Sequence, residues 1–176
     1  MTEQTEKEII NGCLRGETAA QEKLYKQYYT TLLKICARYV ENMSDAEILL
    51  NDSYYKAFQH LSTYQFKGSF EGWLKRITVN TCVDHIRSKE FQKGRKTIEI
   101  KEFSLNHSVQ PEDDFIGKLE FHSLLKMIQE LPNNMKPVFN LYVFEEYSHK
   151  QIGEELGMTE NNSQWHLHQA RKMLRE

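Results

Sequence analysis

The sequence predicts an all-α protein: two small helical domains joined by a flexible linker, with a helix-turn-helix in the C-terminal domain. Three observations lead to this prediction. Apolar residues recur at helical spacing along most of the 176-residue chain, as expected when one face of each helix packs on a core. Helix-start signatures precede three of these stretches. A polar segment in which apolar residues do not recur at a regular spacing separates the two sets of helices.

The N-terminal domain, residues 1–90, is predicted to contain a series of amphipathic helices. Thr18 with Gln21, and Ser44 with Glu47, fit the capping box, in which the two side chains satisfy free amides at a helix start. Each pair precedes an apolar stripe, Leu24, Tyr28, Leu32, Ile35 and Tyr39 in the first case and Ala46, Leu50, Tyr54, Ala57, Phe58 and Leu61 in the second. A loop with several aromatic residues follows. It leads into a helix that is apolar on two sides and is therefore predicted to pack between neighbours.

Residues 91–114 are predicted to be the linker. They are polar, lack a clean period, and end with a proline and three acids. Within them "TIEIKEF" alternates like a strand, but the chain offers no second strand to pair with it. The C-terminal domain, residues 115–176, then begins with a helix that ends at Pro132. The next helix is expected from Asn134, because Pro137 is tolerated in a first helical turn.

The last thirty residues have the pattern of a helix-turn-helix. Ser148 and Gln151 form a third capping box, and Gly157 stands where a helix end needs positive φ. The final helix has one apolar face, formed by Ser163, Leu167, Ala170 and Leu174, and an opposite face with Asn161, Gln164, Trp165, His168 and Lys172. Asn and Gln can make paired hydrogen bonds to adenine, and cations reach phosphates. This face favours DNA binding over a solvated helical hairpin.

The charge distribution is uneven although the net charge is only −2. Residues 72–101 carry eight basic and three acidic side chains, a net charge of +5, which suits a polyanion. Residues 41–52 carry four acids and no Lys or Arg, which suits a basic protein surface.

The composition also bounds the location of the protein. No apolar run approaches the roughly 20 residues that span a bilayer, and the acidic N-terminus lacks the basic start of a signal peptide. Three widely spaced cysteines predict reduced thiols rather than a disulfide or metal framework. A cytoplasmic protein is expected.

No catalytic site is predicted. Cys82 and His85 lie three residues apart on one helix but have no second pair of ligands, so we expect no metal, no cofactor and no small-molecule substrate. The sequence also lacks a phosphate-binding glycine loop and a nucleophile elbow. The alternatives to an enzyme remain a stand-alone helix-turn-helix regulator and a helical protein-interaction module without DNA binding.

The order of these features resembles a known family. "SDAEILLNDSYYKAF", "TYQFKGSFEGW", "WLKRITVNTCVDHIRSK" and the C-terminal helix-turn-helix, in this order, are similar to the sigma factors of bacterial RNA polymerase. The similarity is to the small two-domain group with extracytoplasmic function (ECF). It spans nearly the whole chain. The resemblance implies a non-enzymatic subunit that directs promoter recognition and transcription initiation, with polymerase core and promoter DNA as partners.

The resemblance also implies three sets of contact residues. Docking on the clamp helices of the β′ subunit would use Asp45, Glu47, Asn51, Asp52 and Tyr55. Contacts to the −10 element, including a flipped base held by the aromatic loop, would come from Phe66, Lys67, Trp73, Arg76, Asn80, Arg87 and Lys89. The −35 element would be read by Lys150, Asn161, Asn162, Gln164, Trp165, His168, Arg171 and Lys172. Further implied contacts are the β flap and a membrane-bound anti-sigma factor.

Two departures from the family pattern affect these expectations. Ile48 stands where the family usually has an acid, and Asn51 and Asp52 replace Gln and Glu; polarity is kept, so docking should survive. The recognition helix opens with two asparagines and carries few cations. Because each phosphate contact contributes about 0.9 to the salt slope of log K, weak DNA binding in the absence of polymerase is expected.

Overall fold

The computed structural model describes residues 3–93 and 123–175, and every regular element in these two ranges is helical. The predicted all-α class is confirmed. The predicted linker beyond residue 93, the "TIEIKEF" segment and the beginning of the predicted C-terminal domain lie outside the described residues. The boundaries at residues 90 and 115 therefore remain predictions.

Eight α-helices and one short 3₁₀ turn are described. The first range contains α1 (Glu3–Leu14), α2 (Thr18–Ala37), α3 (Met43–His60), the 3₁₀ turn (Leu61–Thr63) and α4 (Phe70–Lys93). The second contains α5 (residues 123–129), α6 (Lys136–Val143), α7 (His149–Leu156) and α8 (Glu160–Met173). Helix α1 has no counterpart among the predicted helices, and α4 continues past the point where the apolar period lapses.

The helices form two compact units. The first comprises Met1–Cys36 and Ala46–Cys82. Its interior is filled by the predicted stripes of α2, α3 and α4, with Leu24, Leu50 and Leu74 almost completely buried. The buried Tyr54 on α3 donates its hydroxyl to the carbonyl of Tyr25 on α2 at 2.9 Å, which fastens the two helices together.

The second unit comprises Ala37–Asp45 and Val83–Glu176. Helices α6, α7 and α8 pack on one another, and Ile152 and Leu141 are fully buried. The segment after α2 also belongs to this unit: Arg38 forms an ion pair with Glu145 at 2.6 Å and accepts a hydrogen bond from Asn140 Nδ2 on its carbonyl at 2.9 Å. Both charged side chains are largely buried, so the pair is shielded from water.

The starts of α2 and α3 differ from the prediction. Asn42, rather than Ser44, caps α3, because its Oδ1 accepts from the Asp45 amide at 2.8 Å. Thr18 is the first residue of α2 instead of its cap, and the carbonyl of Glu17 accepts from the amides at residues 20 and 21. The predicted caps at Ser44 and Thr18 are therefore wrong. Several neighbouring residues have side chains that can cap, and the path of the preceding chain decides which of them does.

Candidate functional site

The C-terminal turn is built as the sequence predicted. Ser148 and Gln151 form a reciprocal capping box at the start of α7. Gly157 ends the helix at φ 65°, in the left-handed conformation that favours glycine. Gly153 also requires glycine, but for a steric reason: a Cβ there would lie 2.6 Å from the Met158 carbonyl oxygen. The turn thus depends on two glycines, one for backbone conformation and one for close approach.

Helix α8 separates a buried face from an exposed one. Ser163, Leu167 and Ala170 are buried against the unit's core. The buried Ser163 hydroxyl lies 2.9 Å from Nδ1 of His149 on α7, so its polar atom has a partner. Trp165, on the other side, is 54% exposed. An exposed tryptophan on a helix whose opposite face is fully packed is available for a ligand.

The structure brings together most of the residues predicted to read the −35 element. All eight, including Lys150 on α7, are exposed. Towards the end of α8 a shallow groove is lined by His168, Arg171, Lys172 and Arg175, and the Arg171 guanidinium also lies over the ring of Tyr142 at 5.4 Å. This surface combines a cationic end with an amide-rich beginning.

The two histidines of α8 differ in environment. His168 is exposed, whereas His166 is half-buried and its Nδ1 has no hydrogen-bond partner. Burial lowers the pKa of His166 below its ordinary value, because the imidazolium is poorly solvated there.

The loop from Tyr64 to Ser69, called here the aromatic loop, lies in the first unit. Phe66 is 42% exposed and has φ 57°, a left-handed conformation that costs a non-glycine residue about 1–2 kcal/mol. Phe70 is 1% exposed and belongs to the core. Tyr64 contacts both rings, with centroids 5.1 Å from Phe66 and 5.0 Å from Phe70.

Helix α4 carries the other predicted −10 residues, and four of them, Trp73, Arg76, Asn80 and Arg87, lie along one stripe at helical spacing. Arg76, Asn80 and Arg87 are exposed, and Trp73 is half-buried, stacked on Phe70 with ring centroids 5.5 Å apart. Arg87 lies 3.9 Å from Glu155, a loose and half-exposed pair. Lys89 lies on α4, but its side chain is outside the described part of the structure.

Helix α3 presents the predicted polymerase-docking residues. Asn51, Asp52 and Tyr55 are exposed and Glu47 is half-exposed. Asp45 lies in the first turn, where it accepts a hydrogen bond from the capping Asn42 side chain at 3.3 Å.

Sequence reasoning left two neighbours out of this surface. Ile48 is 54% exposed, and it shares a face with Asp52 and Tyr55 at spacings of four and seven residues, which is the signal that could have found it. Tyr25 of α2 donates its hydroxyl to Asn51 Oδ1 at 3.3 Å; no local sequence pattern could have shown this contact.

The described residues contain neither a membrane-spanning helix nor a cluster of metal ligands. No helix there is long and apolar enough to cross a bilayer. No group of three His, Cys, Asp or Glu side chains in residues 3–93 and 123–175 is arranged to hold a metal ion. Cys13, Cys36 and Cys82 are buried and are not joined by disulfides.

Comparison with known protein families explains the two helical modules. Residues 24–92 match the family model Sigma-70 region 2, and residues 121–174 match Sigma-70, region 4. The chain belongs to the sigma-70 family of RNA polymerase sigma factors. The resemblance to the ECF group is confirmed, and the protein is a DNA-binding initiation factor.

Relatives of this sigma factor match most of its chain with little sequence identity. The ECF RNA polymerase sigma factor SigW of Bacillus subtilis is 23% identical, over 97% of this chain and 95% of the relative. The RNA polymerase sigma-H factor of Pseudomonas aeruginosa is 24% identical, over 86% and 82% of the two chains. The sigma factor RpoE of Bartonella quintana, solved in complex with the anti-sigma factor NepR, has the same fold with a TM-score of 0.52 and 14% identity. That match covers 88% of this chain and 93% of the RpoE chain.

Proposed function

We propose that this sigma factor brings core RNA polymerase to promoters through three separate surfaces. The first is the exposed face of α3, which would dock on the clamp helices of the β′ subunit. Its acids, Glu47 and Asp52, are accompanied by the apolar Ile48 and Tyr55. Such a mixture suits a basic partner that also buries apolar area, since charges guide the encounter and apolar contacts slow dissociation.

The second surface is the aromatic loop together with the exposed stripe of α4, which would engage the −10 element as single-stranded DNA. Phe66 and Lys67 are both exposed, giving one ring for stacking and one cation for a phosphate. Arg76 and Asn80 continue the surface along α4. Stacking on an aromatic side chain contributes roughly 1–3 kcal/mol per base, enough to offset much of the cost of unstacking.

The third surface is the outer face of α8, which would read the −35 element in the major groove. The observation that carries the proposal is Trp165, 54% exposed beside the amides of Asn161 and Gln164. A helix of this width fits the major groove, and its first residues would meet base edges. Lys150 of α7 and the cations at the end of α8 would contact phosphates.

The scarcity of cations on α8 favours DNA binding only within the assembled polymerase. Arg171 and Lys172 are its Lys and Arg residues, and Arg175 lies just beyond its end; fewer phosphate contacts mean weaker non-specific affinity. The C-terminal unit would be held near the −35 element by the β flap. A stand-alone regulator would instead protect its operator without polymerase.

We also propose a membrane-bound anti-sigma factor as a partner that would hold this sigma factor inactive in the cytoplasm. The support is the family resemblance and the RpoE structure, which contains the anti-sigma factor NepR. Affinity capture from membranes with the full chain as bait tests this partner.

The deciding experiment is promoter-specific transcription by core polymerase with and without the protein. We expect new transcripts from defined start sites only when both are present, and no protection of promoter DNA by the protein alone. Binding to core without initiation would favour an interaction module. Protection of a two-fold operator without polymerase would favour a stand-alone regulator.

A further inference from the structure

Tyr64 closes the aromatic loop on itself. Its hydroxyl donates to the carbonyl of Gly68 at 2.9 Å, and its amide donates to the carbonyl of Leu61 at 3.1 Å. One residue is thus joined to the 3₁₀ turn on one side and to the far end of the loop on the other. Because Gly68 has φ 82°, its position is one that favours glycine, and the bond fixes a turn that most residues would resist.

Phe66 lies within the segment that this hydrogen bond closes. Its left-handed backbone, at φ 57°, is one that L side chains rarely adopt. Its ring is 42% exposed. An aromatic ring held partly in solvent by an unfavourable backbone conformation must be kept there by its surroundings, and such outliers often mark functional positions.

Tyr64 supplies a connection from that ring to the core. Its own ring is half-buried and lies 5.1 Å from Phe66, 5.0 Å from the buried Phe70 and 5.5 Å from Trp73, centroid to centroid. The Tyr64 ring therefore packs against both the exposed Phe66 ring and the buried Phe70 ring, while its hydroxyl restrains the loop backbone on either side of Phe66.

We infer that Tyr64 is a positioning residue for DNA: its hydrogen bond to Gly68 keeps the loop closed and presents the Phe66 ring to an unstacked base. This inference rests on the proposed role of the aromatic loop at the −10 element. A loop fixed before binding loses less conformational freedom when the base arrives, so the same stacking contact gives a higher affinity. Tyr64 itself acts through Phe66 and need not touch the DNA.

The test uses holoenzyme assembled from core polymerase and the full chain, with a fork-junction promoter whose −10 strand is single-stranded. Tyr64→Phe keeps the ring and removes the hydroxyl. Loss of one hydrogen bond should lower affinity for this DNA roughly two- to tenfold. Thr63→Val is the matched control, because the Thr63 hydroxyl bonds the His60 carbonyl at 2.7 Å just outside the loop. It should leave affinity unchanged.

The readout that separates positioning from general stability is a double-mutant cycle. If Tyr64 acts through Phe66, then Tyr64→Phe should lower affinity in the native background and add nothing to Phe66→Ala. Core binding and the thermal midpoint should match those of the Thr63→Val control. An unchanged affinity for Tyr64→Phe, an equal loss in the Phe66→Ala background, or a parallel loss of core binding would each overturn the inference.

The same series of variants distinguishes the inference about Tyr64 from the proposed −10 surface on which it rests. If Phe66→Ala binds the fork-junction DNA as tightly as the native protein, the aromatic loop does not hold a base and the proposed −10 surface is wrong. If Phe66→Ala weakens binding and Tyr64→Phe does not, the −10 surface stands and only the positioning role of Tyr64 is wrong.

Discussion

Substituting Gly153 by alanine should destabilise the helix-turn-helix. The carbonyl of Gly153 accepts from the Met158 amide at 3.0 Å, so the turn folds directly back over this residue. A Cβ would lie 2.6 Å from the Met158 carbonyl oxygen, well inside van der Waals contact. The obstructing atom is backbone and cannot rotate away, so α7 and the turn must move apart.

The magnitude follows from two opposing effects. Alanine is a better helix former than glycine by about 1 kcal/mol. Forcing a methyl group into a filled space costs about 1–3 kcal/mol, and a rigid backbone neighbour puts Gly153 at the upper end of that range. The net loss should be about 2 kcal/mol, or a fall of about 10 °C in the midpoint of a unit of this size.

Gly157→Ala is the matched comparison. Nothing lies within 4 Å of a Cβ at this position, and only φ 65° opposes the substitution. Asparagine tolerates the left-handed conformation, so Gly157→Asn should recover most of the loss, whereas Gly153→Asn should not. Thermal unfolding followed by circular dichroism measures both series. A Gly153→Ala protein as stable as the native one, or more stable, would refute the close-approach argument.

Three further perturbations test the outer face of α8, the exposed face of α3 and the half-buried His166. Trp165→Ala should change the preferred −35 sequence, as measured by transcription from a promoter library, and leave the free energy of unfolding within about 0.5 kcal/mol of native. Asp52→Lys should weaken binding to core polymerase several-fold by placing a like charge against a basic surface, as measured by competition with another sigma factor. Because the pKa of His166 is lowered on folding, the unfolded chain binds more protons, and stability should fall as the pH drops below about 6.5; His166→Gln should flatten this dependence of the thermal midpoint.

Each of these perturbations has its own control. Met173→Ala removes a comparably exposed apolar side chain from the last turn of α8, and an equal change of promoter preference would mean that Trp165 has no specific contact. Glu8→Lys makes the same reversal of charge on the exposed side of α1; if it weakens core binding as much as Asp52→Lys, net charge rather than the α3 surface is responsible. An unchanged pH dependence in His166→Gln would assign the titration to another group.

Local sequence patterns were sufficient where a feature depends on neighbours in the chain. The capping box at Ser148, the left-handed Gly157 and the two faces of α8 all follow from residues within one or two helical turns. Short-range hydrogen bonding, backbone sterics and the 3.6-residue period fix them, and the structure has each as predicted. The all-α class follows for the same reason, since amphipathic periods recur along the chain.

Other features depend on residues that are distant in sequence or on competition between neighbours. Asn42 and Ser44 can both cap α3, and the chain entering the helix selects Asn42. The contact between Tyr25 and Asn51 joins α2 and α3. The hydrophobic period of each helix does not show how the two helices are rotated relative to one another. The left-handed Phe66 contradicts its local preference, and it lies in a loop that the hydrogen bond from Tyr64 to Gly68 closes.

The sequence alone therefore determined most of the helices, their buried faces and the order of the family's motifs, because these depend on short-range periodicity and residue chemistry. Only the tertiary structure decided which polar atoms are satisfied, where a strained aromatic residue is held, and that Gly153 lies against a carbonyl. Those outcomes depend on how closely residues distant in the sequence pack against one another, which no pattern along a single chain encodes.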